Sequence, residues 1–421
     1  MAFAAVSNPK RLGKDAETSA TICIRHLSHW KSAVDEIKSW PEYAPQPLRD
    51  LPDAARRLEI GKLLVKDESK RFGKSLGSFK ALGAPYSIFK ILQKEVYEKT
   101  GFSPTHDELR SGKYSEITNL VTVCVATDGN QGRGLAYGAK IFGCRCVIYI
   151  HNHVSEGRAS AIKALGAIVI RIQGEYEASV DRAKEDARMN GWSFVSSTSW
   201  SDFDDSIPQN VMNAYMVVVE EVLAELPAVH EVTHVFVCGG VGSIAAAIFQ
   251  GFYSRLLGAK EGNMPRFVVV EPSVADCLFQ SAKKGEPCPS SGDLRTIMAG
   301  LACRAPSPAA WKVLSWLASD FVSAPDSAAV EGMVELAAGK GGDIPVVIGE
   351  SSAANAGVLF EAQRDRTLRQ QLELDGNSQV LIFGLEGSTD PVTYEKLCSV
   401  SPEVVFAAQE KFQARFHLYF V

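Results

Sequence analysis

Residues 233–258 read THVFVCGGVGSIAAAIFQGFYSRLLG. An apolar run rich in β-branched and aromatic residues leads into a cluster of glycines, and a long apolar segment of helical composition follows. A strand that is apolar throughout is typical of a parallel sheet that helices cover on both faces. The stretch therefore predicts one strand–helix unit of an α/β protein.

Similar apolar runs alternate with helical stretches through most of the chain. The predicted strands are 62–67, 120–127, 145–150, 168–173, 194–198, 233–239, 266–271, 344–349 and 379–384. This alternation is the pattern of an α/β fold. The three strands between 120 and 174 form a block that predicts a smaller second domain.

Composition excludes several classes of function. The 421 residues include 44 Lys and Arg against 49 Asp and Glu, so the formal net charge is −5. Nucleic-acid binding usually needs a basic patch, which this balance does not support. No apolar run reaches the ~20 residues of a membrane helix, and the N-terminus does not resemble a secretory signal. Nine scattered cysteines predict reduced thiols in a cytoplasmic protein, and the histidine spacing predicts no metal site.

The segment from Lys66 to Lys80 reads KDESKRFGKSLGSFK and places a lysine at the start of a predicted helix. Partial burial beside Phe79 would disfavour an ammonium ion, so that a free amine could attack a carbonyl and form a Schiff base. The alternative is an ordinary surface lysine.

A second candidate is TDGNQGRG at 127–134, where a strand ends and a helix begins. The N–H groups at a helix N-terminus are a ready site for a carboxylate or phosphate. Asn130 could hold a ring hydroxyl, and Asp128 could act as a base. The alternative is a turn with a helix cap, for which Asp and Asn are ordinary choices.

The third candidate is the glycine loop of the opening stretch. Its glycines let the backbone approach an anion, and the following helix start offers N–H groups. Gly240, Gly242 and Ala245 also match a G-x-G-x-x-A dinucleotide motif, but the acid Glu271 lies 31 residues after Gly240 where ~20 is usual. The loop alone leaves both interpretations open.

Together, the three motifs supply the parts needed to hold pyridoxal 5′-phosphate. The chain at this point resembles the fold type II, tryptophan-synthase β-like pyridoxal-phosphate enzymes, and within them the diaminopropionate ammonia-lyases. The resemblance covers about residues 41–400. It rests on YAPQPL (43–48), KDESKRFG (66–73), FK (79–80), TDGNQGRG (127–134), GVG (240–242), VEPSVADC (270–277), TIMAGLAC (296–303), GES (349–351) and EGSTD (386–390).

The resemblance implies a two-domain α/β fold with the cofactor in a cleft. The large cofactor-binding domain would be 1–90 and 197–421, and the smaller one 91–196. Family members are commonly homodimers. The implied functional residues are Lys80 for the Schiff base, Asp128 as a second acid or base, Asn130 on the cofactor's 3′-oxygen, and Gly239, Gly240, Val241, Gly242 and Ser243 around the phosphate.

The chain departs from the family pattern at three places. Two extra residues lie between Gly73 and Phe79, Ser197 stands where the family has an acid, and residues 384–387 read GLEG where the family has STEG. The first two changes bear on the substrate. The extra residues alter the loop before Lys80, and an acid at 197 would face a substrate amine. The third removes a hydroxyl that would face the pyridine nitrogen.

The activity implied is a lyase of amino-acid metabolism that eliminates ammonia from a small diamino acid such as 2,3-diaminopropionate, giving pyruvate and ammonia. One alternative is a serine- or threonine-type dehydratase or a β-replacement enzyme. Another is a nucleotide-dependent oxidoreductase that uses the glycine loop, and a third is a non-catalytic binding protein with the same fold.

Overall fold

The structure is a computed structural model that describes residues 2–11, 29–127, 129–200, 206–226, 228–257 and 264–418. The strands in these ranges are β1 (Ala4–Ser7), β2 (Leu48–Asp50), β3 (Lys62–Asp67), β4 (Thr122–Ala126), β5 (Arg145–His151), β6 (Ile168–Ile172), β7 (Ser193–Phe194), β8 (His234–Cys238), β9 (Arg266–Pro272), β10 (Asp320–Ala324) and β11 (Gln379–Gly384).

The α-helices lie mostly between these strands, as the alternating sequence pattern predicts. They are α1 (Trp30–Lys38), α2 (Pro52–Arg57), α3 (Lys80–Thr100), α4 (His106–Arg110), α5 (Ser115–Thr118), α6 (Asn130–Phe142), α7 (Glu156–Lys163), α8 (Tyr176–Asn190), α9 (Ser206–Glu225), α10 (Ser243–Leu257), α11 (Cys277–Lys284), α12 (Pro308–Leu317), α13 (Asp326–Ala338), α14 (Glu350–Arg364), α15 (Arg366–Gln371), α16 (Pro391–Cys398) and α17 (Pro402–Leu418). None of the helices described is long and apolar enough to span a membrane.

The chain divides into two compact units. The larger unit comprises 1–28, 45–77 and 218–421, and the smaller unit comprises 29–44 and 78–217. The predicted domain boundaries differ from this division in placing residues 29–44, 78–90 and 197–217 in the large domain, and they stay a prediction.

The larger unit contains a seven-stranded sheet in the order β1-β10-β9-β8-β11-β3-β2. Its five central strands pair in parallel, while β1 and β2 pair antiparallel at the two edges. Strands β8, β10 and β11 are buried along nearly their whole length. Their apolar, β-branched composition fits this environment, since both sheet faces pack against helices.

The smaller unit contains a four-stranded parallel sheet in the order β6-β5-β4-β7. Strand β4 is fully buried at its centre. Side chains from one face of β4 and β5 form a core with helix α8 that includes Cys124, Tyr149 and Ala183. The eight cysteines within the described ranges are free thiols.

Most of the predicted strands are present, and two have the predicted bounds, 62–67 and 379–384. The prediction of a strand at 344–349 is wrong. This segment is buried and apolar, but it runs as irregular backbone, with Val346 N–H donating to Leu336 and Gly349 N–H donating to Glu386. Pro345 lacks the N–H that a central strand would need. The predicted strand 194–198 is reduced to the end of β7 at Phe194.

Candidate functional site

Four of the sequence motifs follow neighbouring parallel strands of the larger unit. KDES begins within β3, the glycine loop follows β8, VEPSVADC begins within β9, and GLEG follows β11. Since these strands are parallel, their carboxyl ends meet at one edge of the sheet, which is where ligands bind in open α/β folds.

The glycine loop has a backbone that other residues would adopt only with strain. Gly240 has φ +65° and Gly242 has φ +95°. A Cβ added to Gly242 would lie 2.8 Å from Leu314 Cδ1 and 3.2 Å from Ala310 Cβ. Helix α10 begins directly afterwards at Ser243 and continues for 15 residues. The first N–H groups of such a helix have no acceptor within the helix and carry the positive end of its dipole, so they suit an anion.

Two other motifs pack against this loop. Cys277 Sγ, from VEPSVADC, lies 3.5 Å from Gly240 O and donates to it. A Cβ at Gly240 would lie 3.4 Å from Gly300 O and 3.7 Å from Cys303 Sγ, both of which belong to TIMAGLAC. The structure therefore brings together three motifs whose contacting residues, Gly240 and Cys303 at the extremes, are up to 63 residues apart in sequence.

The turn after β11 joins three further segments. Gly349 N–H donates to Glu386 O over 2.9 Å, and Ser351 N–H donates to the Glu386 carboxyl over 3.3 Å. Gly387 N–H donates to Gly77 O over 2.9 Å, at the end of the loop that leads to the predicted Schiff-base lysine. GES, EGSTD and the loop that follows KDESKRFG are thus held against one another.

A buried charge cluster explains the composition of KDESKRFG. Arg71 donates to both oxygens of Glu68, at 2.7 and 2.8 Å, and to both oxygens of Glu221, at 2.8 and 2.6 Å. Lys66 donates to Glu221 over 2.6 Å and to the carbonyl of Gln46. Burial alone would raise the pKa of Glu221, but Arg71 and Lys66 lower it to about 2. The cluster fixes the loop that precedes Lys80.

Glu271 belongs to VEPSVADC, and the sequence predicts no role for it in a pyridoxal-phosphate site. It lies on β9 and is fully buried, and its two oxygens accept from Leu278 N–H at 3.1 Å and Phe279 N–H at 2.7 Å. Burial raises its pKa to about 8. A Cβ at Gly239 would lie 2.6 Å from Glu271 Cγ, so this side chain packs directly against the glycine loop.

In the smaller unit, Lys80 is the first residue of α3 and is half-buried, with its Nζ 5.1 Å from the ring centre of Phe79. Asn130 is the first residue of α6 and is also half-buried. A Cβ at Gly134 would lie 2.8 Å from Lys80 O, so the first turns of α3 and α6 pack closely. Asp128 lies outside the described residues.

The segment that carries Ser197 is tied to the same helix. Gln131 Nε2 donates to Val195 O over 3.3 Å. Ser196 Oγ accepts from Thr198 N–H at 3.1 Å and from the indole of Trp200 at 3.2 Å. The start of α6 therefore supports the loop that carries Ser197.

The comparisons with known proteins agree with these motifs. A family model described as "Pyridoxal-phosphate dependent enzyme" matches residues 40–383. The diaminopropionate ammonia-lyase of Salmonella typhimurium is 34% identical over 368 residues, which cover 86% of this chain and 89% of that protein. This chain belongs to the diaminopropionate ammonia-lyase family of pyridoxal-phosphate dependent enzymes.

Solved structures of the Escherichia coli diaminopropionate ammonia-lyase are similar to this enzyme throughout. The holo form has a TM-score of 0.82 at 29% identity and covers 94% of this chain and 97% of its own. The same protein has been solved with D-serine, with a TM-score of 0.78 at 30% identity over the same shares of the two chains. It has also been solved with an aminoacrylate–pyridoxal phosphate azomethine reaction intermediate, with a TM-score of 0.77 at 30% identity and again the same coverage.

The family identity confirms the predicted fold type II and pyridoxal 5′-phosphate as the cofactor, and it replaces the dinucleotide interpretation of the glycine loop. The structure fits this cofactor, because Gly240 and Gly242 leave the loop without side chains where a phosphate would approach the start of α10. The roles of the individual site residues, the homodimer and the cytoplasmic location stay predictions.

Proposed function

We propose that this enzyme eliminates ammonia from a small diamino acid such as 2,3-diaminopropionate, converting it with one water molecule to pyruvate and two molecules of ammonia. The observation that carries the proposal is the 34% identity to diaminopropionate ammonia-lyases over most of both chains. The packing of VEPSVADC, TIMAGLAC, GES and EGSTD around one sheet edge supports it, because these segments were the basis of the resemblance.

Each functional residue has a defined task in this proposal. The bound cofactor would withdraw electrons from the substrate's Cα, which makes the Cα proton removable. Lys80 provides the amine that binds the cofactor covalently and then takes the Cα proton of one stereoisomer. Asp128 takes the proton of the other, and the protonated Cβ amine leaves as ammonia. Asn130 orients the ring, and residues 239–243 hold the phosphate.

The test is a side-by-side assay of 2-oxo-acid formation from both enantiomers of 2,3-diaminopropionate and from serine, threonine and O-acetylserine. The proposal requires diaminopropionate to have the highest kcat/KM, with two ammonia molecules per pyruvate. A higher kcat/KM for any of the other amino acids would overturn it.

Ser197 favours the second candidate, a serine- or threonine-type dehydratase or a β-replacement enzyme. A neutral hydroxyl at this position can accept a hydrogen bond from a second substrate ammonium, but it cannot form the stronger ion pair that a carboxylate forms with it. Under this candidate, the hydroxy amino acids or O-acetylserine would give the larger kcat/KM, and Ser197→Asp would shift preference towards diaminopropionate.

A further inference from the structure

Three residues from two consecutive structural elements, β9 and α11, contact the glycine loop in the larger unit. Glu271 Cγ lies against Gly239, Cys277 Sγ donates to Gly240 O, and a Cβ at Gly242 would lie 3.4 Å from Leu278 Cδ1. All three contacting residues come from the end of β9 and the first turn of α11, so this short segment contacts each of the three glycines of the loop.

Glu271 holds this segment in place. Its carboxyl accepts the N–H groups of Leu278 and Phe279, which belong to the first turn of α11 and have no acceptor within that helix. These two hydrogen bonds fix the start of α11. They therefore also fix the positions of Cys277 and Leu278, which contact Gly240 and Gly242 of the loop. At the same time, the methylene groups of Glu271 fill the space beneath Gly239.

We propose that Glu271 is a positioning residue that holds the glycine loop in the shape that binds the cofactor's phosphate. This inference rests on the proposed binding of phosphate by residues 239–243. It assigns Glu271 a role through the backbone of the loop, with no contact between its carboxyl and the cofactor. The reacting end of the cofactor is not involved, so the effect is expected in phosphate recognition alone.

The experiment compares pyridoxal 5′-phosphate with pyridoxal, which lacks the phosphate. The dissociation constants of both are measured by absorbance titration of the apoenzyme. The dissociation constant of pyridoxal divided by that of pyridoxal 5′-phosphate is the ratio that reports how well the loop recognises phosphate. Glu271→Gln retains the shape of the side chain but offers one acceptor oxygen for two N–H groups. One lost hydrogen bond predicts a ratio about tenfold lower than in the wild type, with the affinity for pyridoxal unchanged.

A second variant and a matched control keep the test specific. Leu278→Ala leaves the carboxyl in place and removes the contact beneath Gly242, and it should lower the ratio as well. Asp320→Asn removes a different buried carboxyl, which accepts from Ser7 and Arg266 at the amino end of β10. This control should lower the thermal stability of the protein and leave the ratio as in the wild type.

Gly242→Asp separates failure of this inference from failure of the loop assignment. If Gly242→Asp lowers the ratio and Glu271→Gln does not, the positioning role of Glu271 is refuted, whatever the result for Leu278→Ala, and the phosphate loop stands. If Gly242→Asp also leaves the ratio unchanged, the loop does not bind the phosphate, and both proposals fall.

Discussion

A charge placed at Gly242 should weaken cofactor binding more than a neutral side chain of the same size. Any side chain at this position meets two costs. The left-handed backbone, with φ +95°, costs a non-glycine residue ~1–3 kcal/mol, and the approach of a Cβ to 2.8 Å from Leu314 Cδ1 costs a further ~1–3 kcal/mol. Both Gly242→Asn and Gly242→Asp carry these costs.

The two variants differ only in charge. A phosphate monoester carries a charge of about −1.5 to −2 at neutral pH. At ~5 Å and an effective dielectric constant of ~20–80, a carboxylate repels it by about 1.5–6 kcal/mol. The dissociation constant of pyridoxal 5′-phosphate should therefore be about ten- to ten-thousand-fold higher for Asp than for Asn.

The assay is titration of each apoenzyme with cofactor, followed by the absorbance of the bound form, and repeated with pyridoxal. Pyridoxal carries no phosphate, so the two variants should bind it equally. Turnover per bound cofactor should also change far less than affinity. If Asp and Asn bind pyridoxal 5′-phosphate equally well, the phosphate does not lie at this loop and the electrostatic reasoning is wrong.

Four further predictions address the lysine, the second base and the two buried acidic sites. Borohydride should fix the cofactor on Lys80, and Lys80→Ala should abolish this attachment; a modified peptide from another part of the chain would refute the assignment. Asp128→Asn should lower kcat/KM for one enantiomer of the substrate by ~10²–10⁴-fold and leave the other nearly unchanged, since each base serves one face. In denaturant titrations, Arg71→Met should lower the free energy of unfolding by ~3–5 kcal/mol, because it leaves buried carboxylates without their partner. The same change at the half-exposed Arg364 should lower it by less than ~1 kcal/mol. Glu271 has a pKa of about 8 in the folded protein, against 4.5 for an ordinary glutamate. The folded state therefore binds this proton more tightly than the unfolded state does. The free energy of unfolding should accordingly fall as pH rises from about 4.5 through 8. Glu271→Gln should lack that component, and a wild-type curve that rises through this range would contradict it.

The sequence predicts a strand correctly where an apolar composition arises from burial within a sheet. Strand β11 and the centre of β3 are apolar, as expected of strands buried on both faces, and the predicted bounds of both strands agree with the structure. The segment 344–349 has the same composition for another reason: it packs as irregular backbone against other segments. Hydrophobicity indicates burial and not strand pairing, and Pro345 is the one residue in the segment that argues against a central strand. β10 begins with Asp320 and has only two large apolar residues, and its run is too short to stand out.

In the candidate site too, features made of consecutive residues can be predicted from the sequence, whereas contacts between separate elements cannot. The glycine loop could be recognised because a strand, its glycines and the helix start are consecutive, and the chemistry depends on that order. Glu271 is part of VEPSVADC and lies at the wrong distance for a dinucleotide site, and neither pattern predicts what its carboxyl contacts. Its hydrogen bonds to Leu278 and Phe279 depend on how α11 follows β9, which no residue pattern states.

Glu221 is a second residue whose contacts the sequence does not predict. Arg71 requires two carboxylates to be stable without water, and one of them, Glu68, is three residues away and belongs to the same motif. The other comes from α9, 150 residues further along the chain. An arginine in the sequence can imply that it needs partners once it is buried, but only the fold determines which acid supplies them. Residues that perform chemistry are therefore found in short motifs, whereas the residues that hold those motifs in position come from distant segments and need the structure.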